Sequence, residues 1–267
     1  MIKKLKNFFG LKKIPFSKNI ASAELYQSQS LADISSRLEF ALENEDFYLI
    51  TGAAGSGKST ALRFSLSLVD PQCFPSVYLT AENYKIGDIA KLFLAGLNID
   101  PPFNGYKALS CLKKYVNKMF IEKNQKPIFI IDEAQELSVT TLVSIKNITN
   151  FNMDSASMML IILCGQYELL NKIKSASLES LKRRIRIHYT IEPLSIEECS
   201  KYIKYQMKLA GIDRKIFPDE IIAEIYRISK GIICNINNIC FELLIQAALN
   251  SKEIIEMSLL DKIILPT

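Results

Sequence analysis

The eight residues Gly52-Ala53-Ala54-Gly55-Ser56-Gly57-Lys58-Ser59, with Thr60 after them, hold the most specific chemistry in the chain. They fit the phosphate-loop pattern GxxxxGK[ST], which average residue frequencies produce by chance in about one chain per hundred of this size. Glycines let successive backbone N–H groups converge on phosphate oxygens at a helix start. Lys58 is placed to neutralise β/γ oxygens, and the Ser59 hydroxyl is a ligand for magnesium. About 75 residues on, at the spacing expected of the loop's partner, Ile128-Phe129-Ile130-Ile131 delivers Asp132 and Glu133 at the end of an apolar run. Asp132 would hold the magnesium shell, and Glu133 would orient and deprotonate an attacking water. No NKxD guanine motif is present, so ATP is the expected nucleotide, with Mg2+.

Those residues need a frame. Residues 47–50 form a short apolar run ending at Gly52, and 58–69 read as a helix stopped by Pro71, so the loop lies between a strand and a helix. Residues 30–45 show amphipathic helical spacing in Leu31, Ile34, Leu38 and Ala41. Further apolar runs at 76–79, 128–131, 158–163 and 185–191 alternate with helical stretches at 86–97, 106–122, 138–150 and 166–181. Strands alternating with helices predict an α/β fold with a parallel five-stranded sheet sandwiched by helices. From Ser195 on, helical segments at 195–210, 218–229 and 233–249 predict a small all-helical domain. Pro193 forms the junction, and Ser195 with Glu198 has capping-box spacing. The expected division is a basic arm and nucleotide-pocket lead-in over 1–29, the nucleotide-binding domain over 30–193 and a helical lid over 194–267.

Composition narrows the classes. The longest apolar run, 158–164, is far too short to span a bilayer, so no integral membrane segment is expected. No signal-peptide pattern follows the basic start, which predicts a cytoplasmic chain. The six cysteines lack ligand spacing and are expected reduced and mostly buried, and the one histidine, His188, is expected at the surface of a strand. Net charge is +5, yet the first nineteen residues hold six lysines and no acid; taking these from 33 leaves 27 basic against 28 acidic residues. The basicity therefore sits in the N-terminal segment and in the Lys182, Arg183, Arg184, Arg186 cluster, a distribution suited to a polyanion such as nucleic acid or acidic lipid.

Taken together, these motifs resemble an AAA+ ATPase of the ExeA/TniB-like group. The resemblance runs from about Phe9 to Ala248 and rests on Phe9-Gly10-Leu11, Pro15-Phe16, Leu25-Tyr26, GAAGSGKST, IIDEAQ (130–135), TNFNMDS (149–155), CGQYEL (164–169), LKRRIRI (181–187) and SKGIICNIN (229–237). The TNFNMDS stretch is particularly similar to transposon-encoded helpers of the TniB/MuB type. That implies an ATPase, slow and stimulated by assembly, that binds double-stranded DNA with ATP and directs a transposase. It also implies a homo-oligomer, ring or helical filament, with nucleotide at subunit interfaces.

The resemblance makes Gln166 the polar sensor of the γ-phosphate, although it also reads simply as a helix N-terminus. Arg184 matches the arginine finger that reaches a neighbouring subunit's nucleotide, with Arg183 or Lys182 as substitutes and a solvated or DNA-facing basic patch as the plainer reading. It places DNA contacts after the second strand, at Tyr84 and Lys85, with Lys107 in the next loop; solvated loop residues are the competing account. One departure stands out. The lid pattern S-x-G-x-P-R-x-x-N keeps Ser229, Gly231 and Asn237, but Ile233 and Cys234 replace Pro-Arg, so the second-sensor arginine is missing and lid closure on ATP should be weaker. Two other functions compete: an ExeA-like secretion-assembly ATPase, which would want a membrane span and a periplasmic domain not read in these residues, and an ATP-gated DNA clamp with negligible turnover.

Overall fold

The computed structural model describes residues 2–17, 20–151 and 156–260, so Met1, Lys18, Asn19, residues 152–155 of the TNFNMDS stretch and residues 261–267 lie outside the description. Along the chain come α1 (Ile2–Phe9), α2 (Gln29–Asn44), β1 (Phe47–Gly52), α3 (Lys58–Ser67), β2 (Ser76–Thr80), α4 (Ile86–Gly96), α5 (Gly105–Lys123) and β3 (Ile128–Asp132). They are followed by α6 (Val139–Ile148), β4 (Leu160–Gly165), α7 (Tyr167–Ile173), α8 (Glu179–Lys182), β5 (Ile187–Ile191), α9 (Ile196–Leu209), α10 (Asp219–Ser229), α11 (Ile233–Leu249) and α12 (Met257–Leu260). Two compact units result. One comprises Gln29–Ala54 and Lys58–Ile191; the other comprises Met1–Ser28, Gly55–Gly57 and Glu192–Thr267, as far as these are described.

The first of these is a five-stranded sheet of order β2-β3-β4-β1-β5, with every pairing parallel. β1, β3 and β4 are buried at every residue, because helices cover both faces, and this is why their sequences read as unbroken apolar runs rather than alternations. Phe47, Leu49, Phe129, Ile131, Ile161 and Leu163 pack with Ile89, Phe93, Leu112 and Ile145 in one cluster. Tyr48 points to the opposite face, where its hydroxyl donates to the Ile34 carbonyl of α2. On edge strand β2, by contrast, Ser76, Tyr78 and Thr80 face out while Val77 and Leu79 are buried. Register sets Thr80 beside Asp132 and Thr51 beside Gly165, so β1, β2, β3 and β4 end along one C-terminal edge.

Residues 166–181, read from the sequence as one helix, are instead broken into α7, a 3-10 turn at Ala176–Leu178 and α8. Ser175 and Ser177 share a hydroxyl hydrogen bond at the break, the local competition with helix that serine offers. His188 is half-buried on β5, not at the surface: its Nε2 lies 3.0 Å from the hydroxyls of both Thr51 and Thr190. Burial, with Lys174 and Arg37 nearby, holds its imidazole below the ordinary value. All six cysteines are free thiols, but only Cys164, Cys199 and Cys240 are buried.

The helical unit has its own core, built from α9, α10 and α11 around Ile203, Met207, Ile221, Ile225, Ile239 and Leu243. Ser195 and Glu198 form the capping box that starts α9, with bonds of 3.2 and 2.8 Å. The basic N-terminal segment belongs to this unit and contains a helix: Leu5 and Phe9 of α1 are buried in the same core, as are Leu11 and Phe16.

Candidate nucleotide site

β1 ends at Gly52, and Lys58 opens α3, so residues 53–57 form a tight loop at the sheet's C-terminal edge. Gly55 (φ +73°) and Gly57 (φ +97°) occupy backbone conformations that side chains resist. Lys58 is almost wholly buried, and its ammonium donates to the carbonyls of Gly52 (3.0 Å) and Ala53 (2.9 Å). An ammonium folded onto two neutral loop carbonyls is poised to exchange them for an anionic acceptor. The Ser56 hydroxyl is buried with no partner among the described residues, a donor inside the loop that a phosphate oxygen fits.

Asp132 ends β3 and gathers four donors. Its Oδ2 accepts from the Ser59 hydroxyl at 2.7 Å and from the Tyr78 hydroxyl at 2.7 Å, while Oδ1 accepts from the Glu133 N–H at 2.9 Å; the Cys164 thiol also bonds the carboxylate. Burial pushes this carboxyl up, yet the hydrogen bonds outweigh it and hold the group below its ordinary value, so it is a carboxylate at neutral pH. The same bond, added to burial, pushes the Tyr78 hydroxyl up to about 12. Ser59 and Asp132 thus present a hydroxyl and an ionised carboxylate at one point, the hard oxygen donors that magnesium takes alongside phosphate oxygens and water. Among the described residues no group of three His, Cys, Asp or Glu could hold a metal ion.

Glu133 lies in the left-handed region, φ 53° and ψ 35°, an uncommon place for a glutamate and one with a backbone cost of about 1–3 kcal/mol. Its carboxylate is held by Gln135 Nε2 and by Gln166 Nε2, the latter at 3.3 Å. Gln166 follows β4 and is the N-cap residue of α7, and its own N–H donates to Gln135 Oε1 at 3.1 Å. It is therefore both a helix start and a neighbour of Glu133.

The structure brings Ser59, Asp132, Glu133 and Gln166 together through these bonds, while Lys58, next to Ser59 in the chain, is tied to the Gly52 and Ala53 carbonyls. Thr60 follows Ser59 in the first turn of α3 and is exposed. Arg184 is held at the C-terminal end of α6, donating Nη1 to the Lys146 carbonyl (3.0 Å) and the Thr149 hydroxyl (2.7 Å). Tyr84 packs partly against the sheet core, and its carbonyl accepts from Thr141. Lys85 begins α4 between Glu82 and Asp88, and Lys107 is exposed in the first turn of α5. In the helical unit, Cys234 N–H donates to the Gly55 carbonyl at 3.1 Å, and Asn237 accepts from the Tyr202 hydroxyl.

Sequence reasoning missed Tyr78, Gln135 and Cys164. Gln135 lies two residues past Glu133 and was within reach of a local reading. Tyr78 and Cys164 come from neighbouring strands, and only strand order places them at Asp132.

Comparison with known proteins is consistent with this geometry. Residues 41–173 match the AAA domain family. Over 244 residues the chain is 27% identical to general secretion pathway protein A of Aeromonas hydrophila; that stretch is 90% of this chain but 44% of the relative, so the chain spans less than half of that protein. Among solved structures, the Aeropyrum pernix ORC2 protein in its ADPNP-ADP complexes superposes with a TM-score of 0.66 at 18% identity, over 92% of this chain and 70% of that one. The Aeropyrum pernix ORC1 protein in complex with DNA gives 0.63 at 14%, over 97% and 68%. The strand order, the loop between β1 and α3 and these matches together identify the chain as an α/β protein of the AAA+ P-loop fold, in which residues 41–173 match the AAA domain family and most of the chain is similar to a general secretion pathway protein.

Proposed function

We propose that the protein is a magnesium-dependent ATPase that binds double-stranded DNA in its ATP state, oligomerises with nucleotide at subunit interfaces and recruits a transposase. The observation that carries the ATPase part is the convergence of Ser59, Asp132, Glu133 and Gln166 at the edge where Lys58 enters the phosphate loop. Loop N–H groups and Lys58 bind the phosphates. Ser59 and Asp132 hold the magnesium, which supplies charge neutralisation at the phosphate oxygens when bound. Glu133 takes the proton of the attacking water, and Gln135 and Gln166 orient its carboxylate. Arg184, as the finger to a neighbouring copy, would exchange its bonds at the end of α6 for phosphate oxygens. DNA binding is supported by the fold shared with an ORC1 protein solved in complex with DNA, and the transposase by the TNFNMDS resemblance.

The similarity to a general secretion pathway protein favours a second reading, an ATPase for secretion assembly. No described helix is long and apolar enough to cross a membrane. A slow, clamp-like ATPase is a variant of the first reading, supported by Cys234 at the second-sensor position.

One experiment separates these. DNA binding of wild type, Lys58→Ala and Glu133→Gln is measured in ATP, in ADP and without nucleotide, at two salt concentrations. ATP-dependent, salt-sensitive binding that Lys58→Ala abolishes and Glu133→Gln prolongs is expected, with turnover in Glu133→Gln reduced about 10²–10⁴-fold. Binding of equal strength without nucleotide overturns the reading. Capture by anionic vesicles but not DNA transfers the case to secretion.

A further inference from the structure

The lysines of the N-terminal segment are not on a loose tether. α1 docks its Leu5 and Phe9 into the core of the helical unit, and Gly10, at φ +73°, ends the helix in a left-handed turn. The Leu11 N–H then bonds back to the Lys6 carbonyl at 2.9 Å, and Leu11 itself is buried, the hydrogen bond and apolar contact of a Schellman-type stop. This reversal folds Lys12 and Lys13 back beside Lys6. The Lys12 N–H is tied to the Ala210 carbonyl at 2.9 Å, and its side chain runs against Gly211. Lys6, Lys12 and Lys13 consequently line one open cavity of about 370 Å³, with Lys3 one helical turn before Lys6 and Lys4 exposed alongside. Across described residues 2–28 five lysines meet a single acid, Glu24, which pairs with Lys13.

We infer that this fixed basic surface, Lys3, Lys4, Lys6, Lys12 and Lys13, is where the phosphate backbone of double-stranded DNA docks. The inference rests on the DNA-binding reading above and gives it a location. A preformed array of ammonium groups binds a polyanion without the cost of ordering a flexible arm. Duplex DNA fits better than a lipid surface because α1 has no free apolar face to insert: Leu5 and Phe9 are buried, Phe8 packs on the same core, and Ile2 alone of its apolar residues is exposed. The alternative near β2 is electrostatically poorer. There Lys85 lies between two acids, Glu82 and Asp88, and the Asp88 side chain accepts from the Lys85 N–H, so that lysine's charge is offset locally.

The test is fluorescence anisotropy with a labelled 40-base-pair duplex in ATP, over a series of salt concentrations, on wild type and three variants. The first, K3Q/K4Q/K6Q/K12Q, is expected to lose more than tenfold in affinity and to lower the slope of log affinity against log salt by about 3–4, since each DNA phosphate left without its ammonium lowers that slope by about 0.9. The second, K3R/K4R/K6R/K12R, keeps the charge and is expected to bind like wild type, which distinguishes charge from disruption of α1. The third, K85Q/K107Q, tests the β2 side and is expected to change the slope little. Wild-type slope and affinity in the glutamine variant overturn the inference. So does a loss seen only in K85Q/K107Q, or a glutamine variant that also loses binding of a fluorescent ATP analogue. If wild type itself binds no duplex in any nucleotide state while sedimenting with phosphatidylserine vesicles, the DNA-binding reading fails as a whole.

Discussion

At Asp132 the pairing of the carboxylate with the loop serine, Ser59, acquires a third partner, Tyr78. Both hydroxyls donate to the same oxygen, Oδ2. When the Ser59 oxygen turns to a metal, Tyr78 is the hydroxyl still able to fix that carboxylate, although more than half of its surface faces solvent. A hydrogen bond to a charged group contributes about 1.5–3 kcal/mol. Tyr78→Phe is therefore expected to raise the magnesium concentration for half-maximal binding of a fluorescent ATP analogue by about tenfold, since about 1.4 kcal/mol is a factor of ten, while binding without magnesium stays near wild type. An unchanged magnesium titration would assign Tyr78 to packing alone. Cys164, buried beside the same carboxylate, has its thiol pushed well up by burial and by Asp132, so it acts as a weak donor rather than a thiolate.

The phosphate loop illustrates how an element's glycines differ in what they permit. Gly55 and Gly57 both have positive φ, but a Cβ on Gly55 would lie 2.6 Å from Cys234 Cβ, whereas one on Gly57 would meet only Ile233 Cδ1 at 3.7 Å. Gly57→Ala carries the backbone penalty, about 1–2 kcal/mol; Gly55→Ala adds an overlap with an atom next to the main chain, which cannot swing away. Thermal unfolding should show Gly55→Ala the lower of the two, with about 2–4 °C lost per kcal/mol. Equal melting temperatures would mean that α11 yields to the loop. The close approach also gives Cys234 a positive account: at this position in the helical unit its short side chain lies against Gly55, with a backbone bond to the same residue. The helices were legible in the sequence where caps and apolar spacing agreed, as at Ser195. The 166–181 stretch was misread because apolar periodicity continues through serines that locally favour turns.

For the molecule as a whole, Lys126 makes stability depend on alkaline pH. It is buried, donates to the Glu45 carbonyl (3.0 Å) and the Ser157 hydroxyl (2.9 Å), and burial holds it down at about 8 despite the opposing pull of Asp46 and Glu45. In the unfolded chain the ammonium titrates near about 10.4. Between these values the unfolded state binds more protons, so this group's contribution to stability rises with pH, by at most about 1.4 kcal/mol per pH unit. Urea unfolding between pH 8 and 9.5 should show wild type gaining on Lys126→Met as pH increases. A constant difference between the two would mean that Lys126 titrates normally.

The sequence by itself determined the phosphate loop, the Asp132-Glu133 strand end and the alternation of strands and helices. These are local patterns: glycine spacing dictated by backbone conformation, and apolar runs dictated by two-sided burial. The tertiary structure alone decided that Tyr78, 54 residues from Asp132, shares its oxygen with Ser59. It likewise decided that His188 is half-buried between two threonines, and that a lysine-rich segment becomes a docked helix with a fixed charged surface. Each depends on which strands and helices become neighbours. Spacing along one segment carries no record of that, because side chains meet across elements only after the sheet order and the core have formed.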